Sequence, residues 1–270
     1  MSELVTTAMG DTVAYDLRGS GPAVVFVAGA GPHRAVDPWT TQTAERAAAA
    51  GLTTVVYDRL GRGESPAEGR IGLDRELAVL TGLIERVGGR AVLCGHSSGC
   101  WISAYAATHD LRVAGLMLWE APLGAPDGST ADWIGDYERL MDADDLDGAL
   151  AAYMRYMPPE WLEGARRSPN YAETLAGVPS MRADGEAMVW SASAPMAELL
   201  ARLADAALPI EVTYGEQTYP EMHVSADAIC AAVPSAVQRS LPGANHMWVA
   251  EAMAAELATF VEAAISPARA

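Results

Sequence analysis

The sequence contains no lysine, because all 18 of its basic residues are arginine. This absence excludes Schiff-base chemistry, covalent attachment of pyridoxal phosphate and the lysine of a phosphate-binding loop. No run approaches the roughly 18 to 20 consecutive apolar residues that span a bilayer, and the first residues have neither the basic region nor the apolar core of a secretion signal. We therefore expect a cytoplasmic protein with no membrane partner.

Cysteine and positive charge are also scarce. Cys94, Cys100 and Cys230 leave an odd thiol and show no metal-ligand spacing, so we expect reduced thiols and no metal site. The formal net charge is −17, which repels phosphate backbones and anionic membrane surfaces. We therefore predict no nucleic-acid partner.

The apolar half of the sequence is arranged as alternating strands and helices. The chain has 270 residues, enough for one sizeable domain with a full core. Apolar runs without polar alternation are typical of strands covered on both faces, and the helical patterns between them predict a mostly parallel, doubly wound sheet. Two alternating segments, 3–7 and 12–18, predict an antiparallel beginning. The other predicted strands are 23–28, 53–57, 91–94, 113–119, 210–214 and 236–241, and the predicted helices are 39–50, 73–87, 98–108, 225–232 and 251–265.

The pentapeptide Gly95-His96-Ser97-Ser98-Gly99 follows a predicted strand directly and leads into a predicted helix. This is the context of a nucleophile elbow, in which a serine occupies a strained turn. The residues two before and two after that serine must be small, and Gly95 and Gly99 meet this requirement. We therefore predict that Ser97 is a nucleophile.

One interval, residues 122–207, has no strand-like run and consists of helix-like pieces punctuated by prolines. We predict that it is a helical cap inserted into a core formed by residues 1–121 and 208–270. The interval is rich in methionine and aromatic residues, and although most should pack the cap itself, such a lid suits a neutral, apolar, small substrate. The side chains that we select as substrate contacts are Trp133, Tyr137, Met154, Met157 and Trp190.

The order of elements, the elbow and the segment Tyr-Asp-Arg-Leu-Gly-Arg-Gly-Glu-Ser at 57–65 together resemble the α/β-hydrolase family over essentially the whole chain. The resemblance implies an α/β fold with a mostly parallel, doubly wound α/β-hydrolase sheet and an inserted helical cap. It also implies that Asp58 belongs to a structural turn and is not a catalytic acid. Dehalogenases and epoxide hydrolases of this fold place an aspartate where Ser97 stands, so their chemistry is disfavoured.

A serine hydroxyl needs a general base within hydrogen-bond reach, and the base needs an acidic partner. His246 follows the last predicted strand, 236–241, where the resembling family places its base. The side chain of His96 should point away from Ser97, although the two residues are neighbours in sequence. The histidines that fit the role of base less well are His33, His96, His109 and His223.

The acid of the triad departs from the usual family pattern. The loop Gly215-Glu216-Gln217-Thr218 stands where the family commonly has Gly-x-x-Asp, and its last residue carries no charge. Glu120 follows the strand predicted after the elbow helix, so a carboxylate can come from that strand tip instead. Glu120 is therefore the favoured partner of His246. The alternative acids are Glu216 and Glu221, in which case Glu120 only caps the start of the cap.

Negative charge that develops on a substrate carbonyl must meet preorganised donors, usually two backbone N–H groups. One comes from the residue after the nucleophile, which is Ser98. The second should come from the loop Gly29-Ala30-Gly31-Pro32, whose small residues let the backbone approach a substrate, and Ala30 is the selected donor. The family often begins this loop with His-Gly, whereas this chain has Ala28-Gly29.

These residues predict a cofactor-independent serine hydrolase of carboxylesterase or lactonase type that acts on a small apolar ester or lactone. The segments Trp119-Glu120-Ala121-Pro122 and Leu241-Pro242-Gly243-x-x-His246 are similar to lactonases of the zearalenone-hydrolase type, which use a glutamate at the same strand tip. Two alternatives remain open: a carbon–carbon bond hydrolase with the same triad, and a receptor-like member that binds a small molecule without catalysis. The sequence does not fix the oligomeric state, and a homodimer is one option.

Overall fold

The structure, a computed structural model, describes residues 2–109, 112–125 and 127–265. The predicted core range includes residues 1, 110, 111 and 266–270, and the predicted cap range includes residue 126; these lie outside the described part. Within that part nine strands form one sheet: β1 Glu3–Thr6, β2 Thr12–Gly19, β3 Ala23–Val27, β4 Thr53–Tyr57, β5 Ala91–His96, β6 Val113–Trp119, β7 Ile210–Gln217, β8 Val237–Ala244 and β9 Met247–Trp248.

The order of strands across the sheet is β1-β2-β4-β3-β5-β6-β7-β8-β9. Strand β2 is antiparallel to both β1 and β4, and β9 is antiparallel to β8. All neighbours from β4 to β8 are parallel. The predicted mostly parallel sheet with an antiparallel beginning is confirmed.

The sheet is buried on both faces, which explains why its central strands lack polar alternation. Along β3, Val25 and Val27 pack into one hydrophobic cluster, whereas Val24 and Phe26 pack into a second cluster on the opposite face. The helices that cover the sheet are α1 Pro38–Ala49 and α12 Ala250–Ile265 on one face and α2 Leu73–Arg86, α3 Ser98–His109 and α11 Pro220–Ala232 on the other.

Helix α11 corrects a predicted boundary. It begins at Pro220, five residues before the predicted start at 225. Proline is well suited to the first turn of a helix because its fixed φ matches the helix and its missing N–H would have no partner there. Pro220 is therefore the first residue of the helix.

The cap segment, residues 122–207, forms seven α-helices and no strand in its described residues. Within this segment helix α8 (Met181–Ser191) packs against the elbow helix α3 and against α4 (Ser129–Asp142). None of the helices formed by the described residues is long and apolar enough to cross a bilayer. The helices of the cap segment are α4 Ser129–Asp142, α5 Leu146–Tyr153, α6 Pro159–Arg167, α7 Tyr171–Gly177, α8 Met181–Ser191, α9 Met196–Leu199 and α10 Ala201–Asp205.

Candidate active site

The carboxyl ends of neighbouring strands bring the predicted nucleophile and acid together. The Ser97 N–H donates to the Trp119 carbonyl over 2.9 Å, which ties the tip of β5 to the tip of β6. The Glu120 N–H donates to the Thr213 carbonyl, also over 2.9 Å, which ties β6 to β7. Ser97 and Glu120 therefore leave the same edge of the sheet, which is where open α/β sheets bind their ligands.

The three predicted triad residues share an uncommon backbone conformation. Ser97, Glu120 and His246 have φ values of 54°, 47° and 68°, in the left-handed region. They are three of the six non-glycine residues with positive φ in the described part of the chain. Such conformations cost roughly 1–3 kcal/mol each and persist where the surroundings enforce them, commonly at functional sites.

The elbow around Ser97 depends on its two glycines. A Cβ atom on Gly99 would lie 2.2 Å from the Val27 carbonyl oxygen, and one on Gly95 would lie 2.6 Å from the Cα of Cys100. Only glycine fits at both positions, because the atoms in the way belong to the backbone. The turn holds Ser97 half-buried at the start of α3.

Glu120 is the carboxylate that contacts the predicted base. The His246 Nδ1 lies 2.5 Å from Glu120 Oε2, and the Glu120 side chain is fully buried. The other carboxylate oxygen, Oε1, accepts hydrogen bonds from the Gly215 N–H at 3.0 Å and from the Thr218 hydroxyl at 2.6 Å. Thr218 stands where the family commonly has its acid, and here it donates to an acid that comes from the neighbouring strand.

These contacts keep Glu120 ionised. Burial alone would raise the pKa of Glu120, but the hydrogen bonds from His246, Thr218 and the Gly215 N–H outweigh burial and hold that pKa below its ordinary value of 4.5. The alternative acids Glu216 and Glu221 are exposed, and neither pairs with His246 in the described structure.

The backbone of His246 is held by two ring donors that sequence reasoning did not identify. The His96 Nε2–H and the Trp119 Nε1–H both donate to the His246 carbonyl, at 3.0 and 3.2 Å. Burial lowers the pKa of His96 to about 3, so its ring is neutral at ordinary pH and its Nε2 can carry the donated proton. The His96 ring therefore binds the backbone carbonyl of His246 and makes no hydrogen bond with Ser97.

Two backbone N–H groups near Ser97 are free to bind an oxyanion. Neither the Ala30 N–H nor the Ser98 N–H donates to any residue that the structure describes. A Cβ atom on Gly29 would lie 2.9 Å from the Ser97 Cβ, so the loop after β3 passes directly beside the nucleophile. Ser98 begins α3, and the positive end of the helix dipole favours negative charge there.

Asp58 has the structural role that the resemblance implies. Its carboxylate accepts the backbone N–H groups of Arg34 and Glu64, each at 2.8 Å, and pairs with the Arg34 guanidinium at 3.1 Å. Burial would raise the pKa of Asp58, but these bonds, led by that from Arg34, lower it. The residue closes the loop after β4 and makes no contact with His246.

Comparison with known proteins places this arrangement in a family. The model of the Alpha/beta hydrolase family matches residues 24–260. The chain belongs to the α/β-hydrolase family. A search of curated proteins found no match.

Several solved structures share the fold over nearly the whole chain. An α/β hydrolase from Sphaerobacter thermophilus DSM 20745 is 26% identical with a TM-score of 0.80, and the match covers 96% of this chain and 99% of that one. An AqdC variant, described with its substrate, the Pseudomonas quinolone signal, is 21% identical with a TM-score of 0.68 and coverages of 97% and 100%. A putative aryl esterase from Burkholderia cenocepacia is 20% identical with a TM-score of 0.63 and coverages of 99% and 100%.

The cap of this α/β hydrolase uses two of the selected aromatic residues for its own packing. The Trp133 Nε1–H donates to the Ala152 carbonyl at 2.8 Å, and the Tyr137 hydroxyl donates to the Val178 carbonyl at 2.8 Å. Both side chains are buried. These contacts pack Trp133 and Tyr137 against other segments of the cap, and their contact with a substrate stays a prediction.

The other three selected cap residues pack against the hydrophobic cluster on the α3 side of the sheet. Trp190 packs edge-to-face on Tyr105 of α3, with 5.4 Å between ring centroids. Met154 and Met157 are half-buried against the core cluster. The cap ring beside the base is Trp161, 6.1 Å from the His246 ring, and sequence analysis did not select it because its position depends on how α6 folds back.

A cavity of about 440 Å³ lies between the loop after β3, the loop after β4 and α7. It borders Gly31, the residue after the predicted oxyanion donor, and Met181 of α8. Its polar rim includes His33, whose Nε2 lies 3.3 Å from Glu173 of the cap. The volume is within the range of small-molecule sites. The described residues contain no group of three or more side chains placed to hold a metal ion.

Proposed function

We propose that this α/β hydrolase is a cofactor-independent serine hydrolase that cleaves an ester or lactone of a small apolar substrate. The observation that carries the proposal is the 2.5 Å contact between His246 Nδ1 and Glu120 Oε2, beside the elbow of Ser97. Because Glu120 engages Nδ1, the nitrogen left to accept the serine proton is Nε2. The Ser97 hydroxyl has no hydrogen-bond partner among the described residues, so its bond to His246 Nε2 forms when substrate binds.

The reaction proceeds in two halves. In the first half His246 Nε2 takes the Ser97 proton as Oγ attacks the acyl carbon, and the N–H groups of Ala30 and Ser98 bind the resulting oxyanion. His246 then protonates the departing alkoxide and leaves an acyl-enzyme on Ser97. In the second half His246 deprotonates a water molecule whose oxygen attacks the acyl carbon, and the proton then passes to Ser97 Oγ as the acid is released. Glu120 stabilises the imidazolium that forms in both halves.

The receptor-like alternative draws its support from the loop 215–218, which lacks an acid at the usual position. The Glu120 carboxylate at His246 removes that support, since a vestigial triad has no need of a buried, ionised acid with three donors. The likeness to the ring-cleaving AqdC variant is a likeness of fold, so it does not favour carbon–carbon cleavage over ester cleavage.

Substitution of the nucleophile tests the proposal. Ser97→Ala should lower kcat for short p-nitrophenyl esters by at least about 10³-fold, because the covalent step is lost while the fold is kept. Ser193→Ala, at an exposed serine of the cap, is the matched control and should retain full activity. Turnover by Ser97→Ala at the wild-type rate would end the proposal.

A fluorophosphonate probe separates the hydrolase from the receptor-like alternative. The wild-type protein should become covalently labelled at Ser97, as located by peptide mass spectrometry, and Ser97→Ala should not. An unlabelled wild-type protein that nevertheless binds a small apolar ester tightly would support the receptor-like function instead.

A further inference from the structure

Four buried charged side chains lie beneath the loop that carries the proposed oxyanion donor Ala30. Arg59 pairs with Glu76 at 3.1 Å and with Asp184 at 2.6 Å, and Arg62 pairs with the second oxygen of Asp184 at 2.8 Å. None of these side chains is more than 1% exposed. We call these four residues the arginine clamp. Buried ion pairs add little net stability because desolvation offsets their attraction, so their position calls for another explanation.

The two arginines hold the oxyanion loop by its carbonyl groups. The Arg59 Nη1 donates to the carbonyls of Ala28 and Gly29 at 3.1 and 3.3 Å. The Arg62 Nη1 donates to the Gly29 carbonyl at 2.5 Å and, more weakly, to the Pro32 carbonyl at 3.4 Å. These carbonyls lie on both sides of Ala30, so the guanidinium groups fix the direction of its N–H.

Asp184 reaches the other side of the oxyanion hole as well. Its Oδ1 accepts the Ser98 hydroxyl at 2.7 Å, and Ser98 supplies the second proposed donor. Asp184 belongs to helix α8 of the cap, whereas Ser98 begins the elbow helix α3 of the core. One carboxylate of the cap is therefore bonded to the side chain of the residue that supplies one donor and, through two arginines, to the loop that carries the other.

We propose that Asp184 is a positioning residue that couples docking of the cap to assembly of the oxyanion hole. The inference rests on the proposed serine hydrolysis. Removing the charge of Asp184 leaves two buried guanidinium groups against one carboxylate, so the loop after β3 shifts and its donor is misaimed. The oxyanion exists only in the transition state and the tetrahedral intermediate, so the loss falls on kcat rather than on KM.

The test compares two substitutions on the same helix. Asp184→Asn keeps the side-chain shape and removes the charge. Glu186→Gln is the matched control, because Glu186 also ties α8 to the core, through the Leu73 N–H and Arg70, each at 2.8 Å, but contacts no member of the clamp. Circular dichroism and thermal unfolding verify that both variants fold.

Asp184→Asn should lower kcat for p-nitrophenyl acetate about 10- to 100-fold and change KM by less than about 3-fold. It should also weaken binding of a trifluoromethyl ketone, whose hemiketal oxygen occupies the hole, by a factor similar to the loss in kcat/KM. Glu186→Gln should leave kcat and the ketone affinity within about 2-fold of wild type. The difference between the two variants distinguishes an effect on the orientation of the oxyanion donors from an effect on cap stability. An effect on cap stability would appear alike in both variants.

Equal losses in the two variants, or an effect of Asp184→Asn on KM alone, would overturn the inference. If Asp184→Asn does not fold, Ser98→Ala replaces it, because this variant removes only the hydroxyl that bonds Asp184 and keeps the backbone N–H. Unchanged kcat and ketone affinity in Ser98→Ala would then count against the inference. The serine hydrolysis itself fails if Ser97→Ala stays active or if the fluorophosphonate does not label the wild-type protein, and neither result depends on Asp184, so the two failures are distinguishable.

Discussion

At the scale of single residues, the most instructive position is Thr218. The family commonly has its acid in this loop, and in this chain the carboxylate has moved to Glu120 on the neighbouring strand tip. The hydroxyl of Thr218 lies 2.6 Å from Glu120 Oε1, so this uncharged residue still binds the acid of the triad. Two adjacent strand tips can therefore present an acid to one His246.

This proximity predicts that an acid at position 218 can partly replace Glu120. Glu120→Ala should lower kcat about 10³- to 10⁴-fold, since His246 loses its orienting partner. Adding Thr218→Asp should recover at least about 10-fold of that loss in kcat. The reason is that the Thr218 side chain already lies within hydrogen-bond distance of the Glu120 carboxylate, so a carboxylate at position 218 lies near the same place. Steady-state hydrolysis of a p-nitrophenyl ester measures both effects.

The control for this rescue is Gln217→Asp in the same Glu120→Ala background. Gln217 is exposed and lies one residue before Thr218. An aspartate at position 217 therefore adds the same charge from a side chain that does not contact Glu120. Equal recovery by the two double variants would mean that any nearby negative charge suffices, and the placement argument would be wrong.

At the scale of elements, the β5–α3 elbow and the loop after β3 are packed as one unit. A Cβ atom on Gly99 would meet the backbone oxygens of Val27 at 2.2 Å and Ala28 at 2.8 Å. No side-chain rotation relieves a contact with backbone, so β3 or its loop must move. Because that loop carries Ala30, strain at Gly99 reaches the site as well as the core.

We therefore expect Gly99→Ala to destabilise the fold by about 1–3 kcal/mol or more and to lower kcat. Gly135→Ala is the control, because Gly135 lies in the exposed part of α4 with nothing within 4 Å of its added methyl group. That substitution should stabilise the protein by about 0.5–1 kcal/mol, since alanine loses less backbone entropy in a helix. Urea unfolding measures both; a Gly99→Ala variant as stable as wild type would contradict the packing argument.

Elements were predictable where burial leaves a mark on the sequence. The strands of the sheet are apolar on both faces, so β3 to β7 could be found from runs such as 23–28 and 53–57. The contacts of the cap could not, because periodicity identifies a buried face but not the surface that covers it. For this reason the sequence did not show that Trp133 and Tyr137 donate hydrogen bonds to other segments of the cap.

The candidate site divides in the same way. Ser97 and His246 follow from local motifs and the order of elements, which a sequence displays directly. The bond from Ser98 to Asp184 joins residues 86 positions apart on different layers, and no pattern in either segment indicates the other. Contacts of this kind, including Trp161 beside His246, depend on how the cap folds back over the sheet.

At the scale of the whole molecule, the net charge is −17, so the stability of the fold depends on how its buried carboxylates are neutralised. Asp58 and Asp184 each face arginine, so burial and charge are balanced. Glu211 on β7 is different, because it lies against Arg239 at 3.2 Å but also faces Glu256 of α12, and its Oε1 has no partner among the described residues. The contact between Glu211, Arg239 and Glu256 joins the sheet to helix α12.

Burial, aided by the charge of Glu256, raises the pKa of Glu211 from 4.5 to about 7. The folded protein therefore holds a proton there that the unfolded chain releases near pH 4.5. The stability that this proton contributes is complete below pH 4.5 and is lost as pH rises through about 7.

Glu211→Gln stays neutral at every pH, so we expect it to exceed the wild-type protein in stability at pH 8 and to lose that advantage toward pH 5. The gain at pH 8 relative to pH 5 should be on the order of 2 kcal/mol, which urea unfolding at the two pH values resolves. Glu262→Gln, an exposed glutamate on the same helix α12 as Glu256, should show no such pH dependence. A stability difference between Glu211→Gln and wild type that is the same at both pH values would show that Glu211 is ionised in the folded protein throughout, because Arg239 then outweighs burial and Glu256.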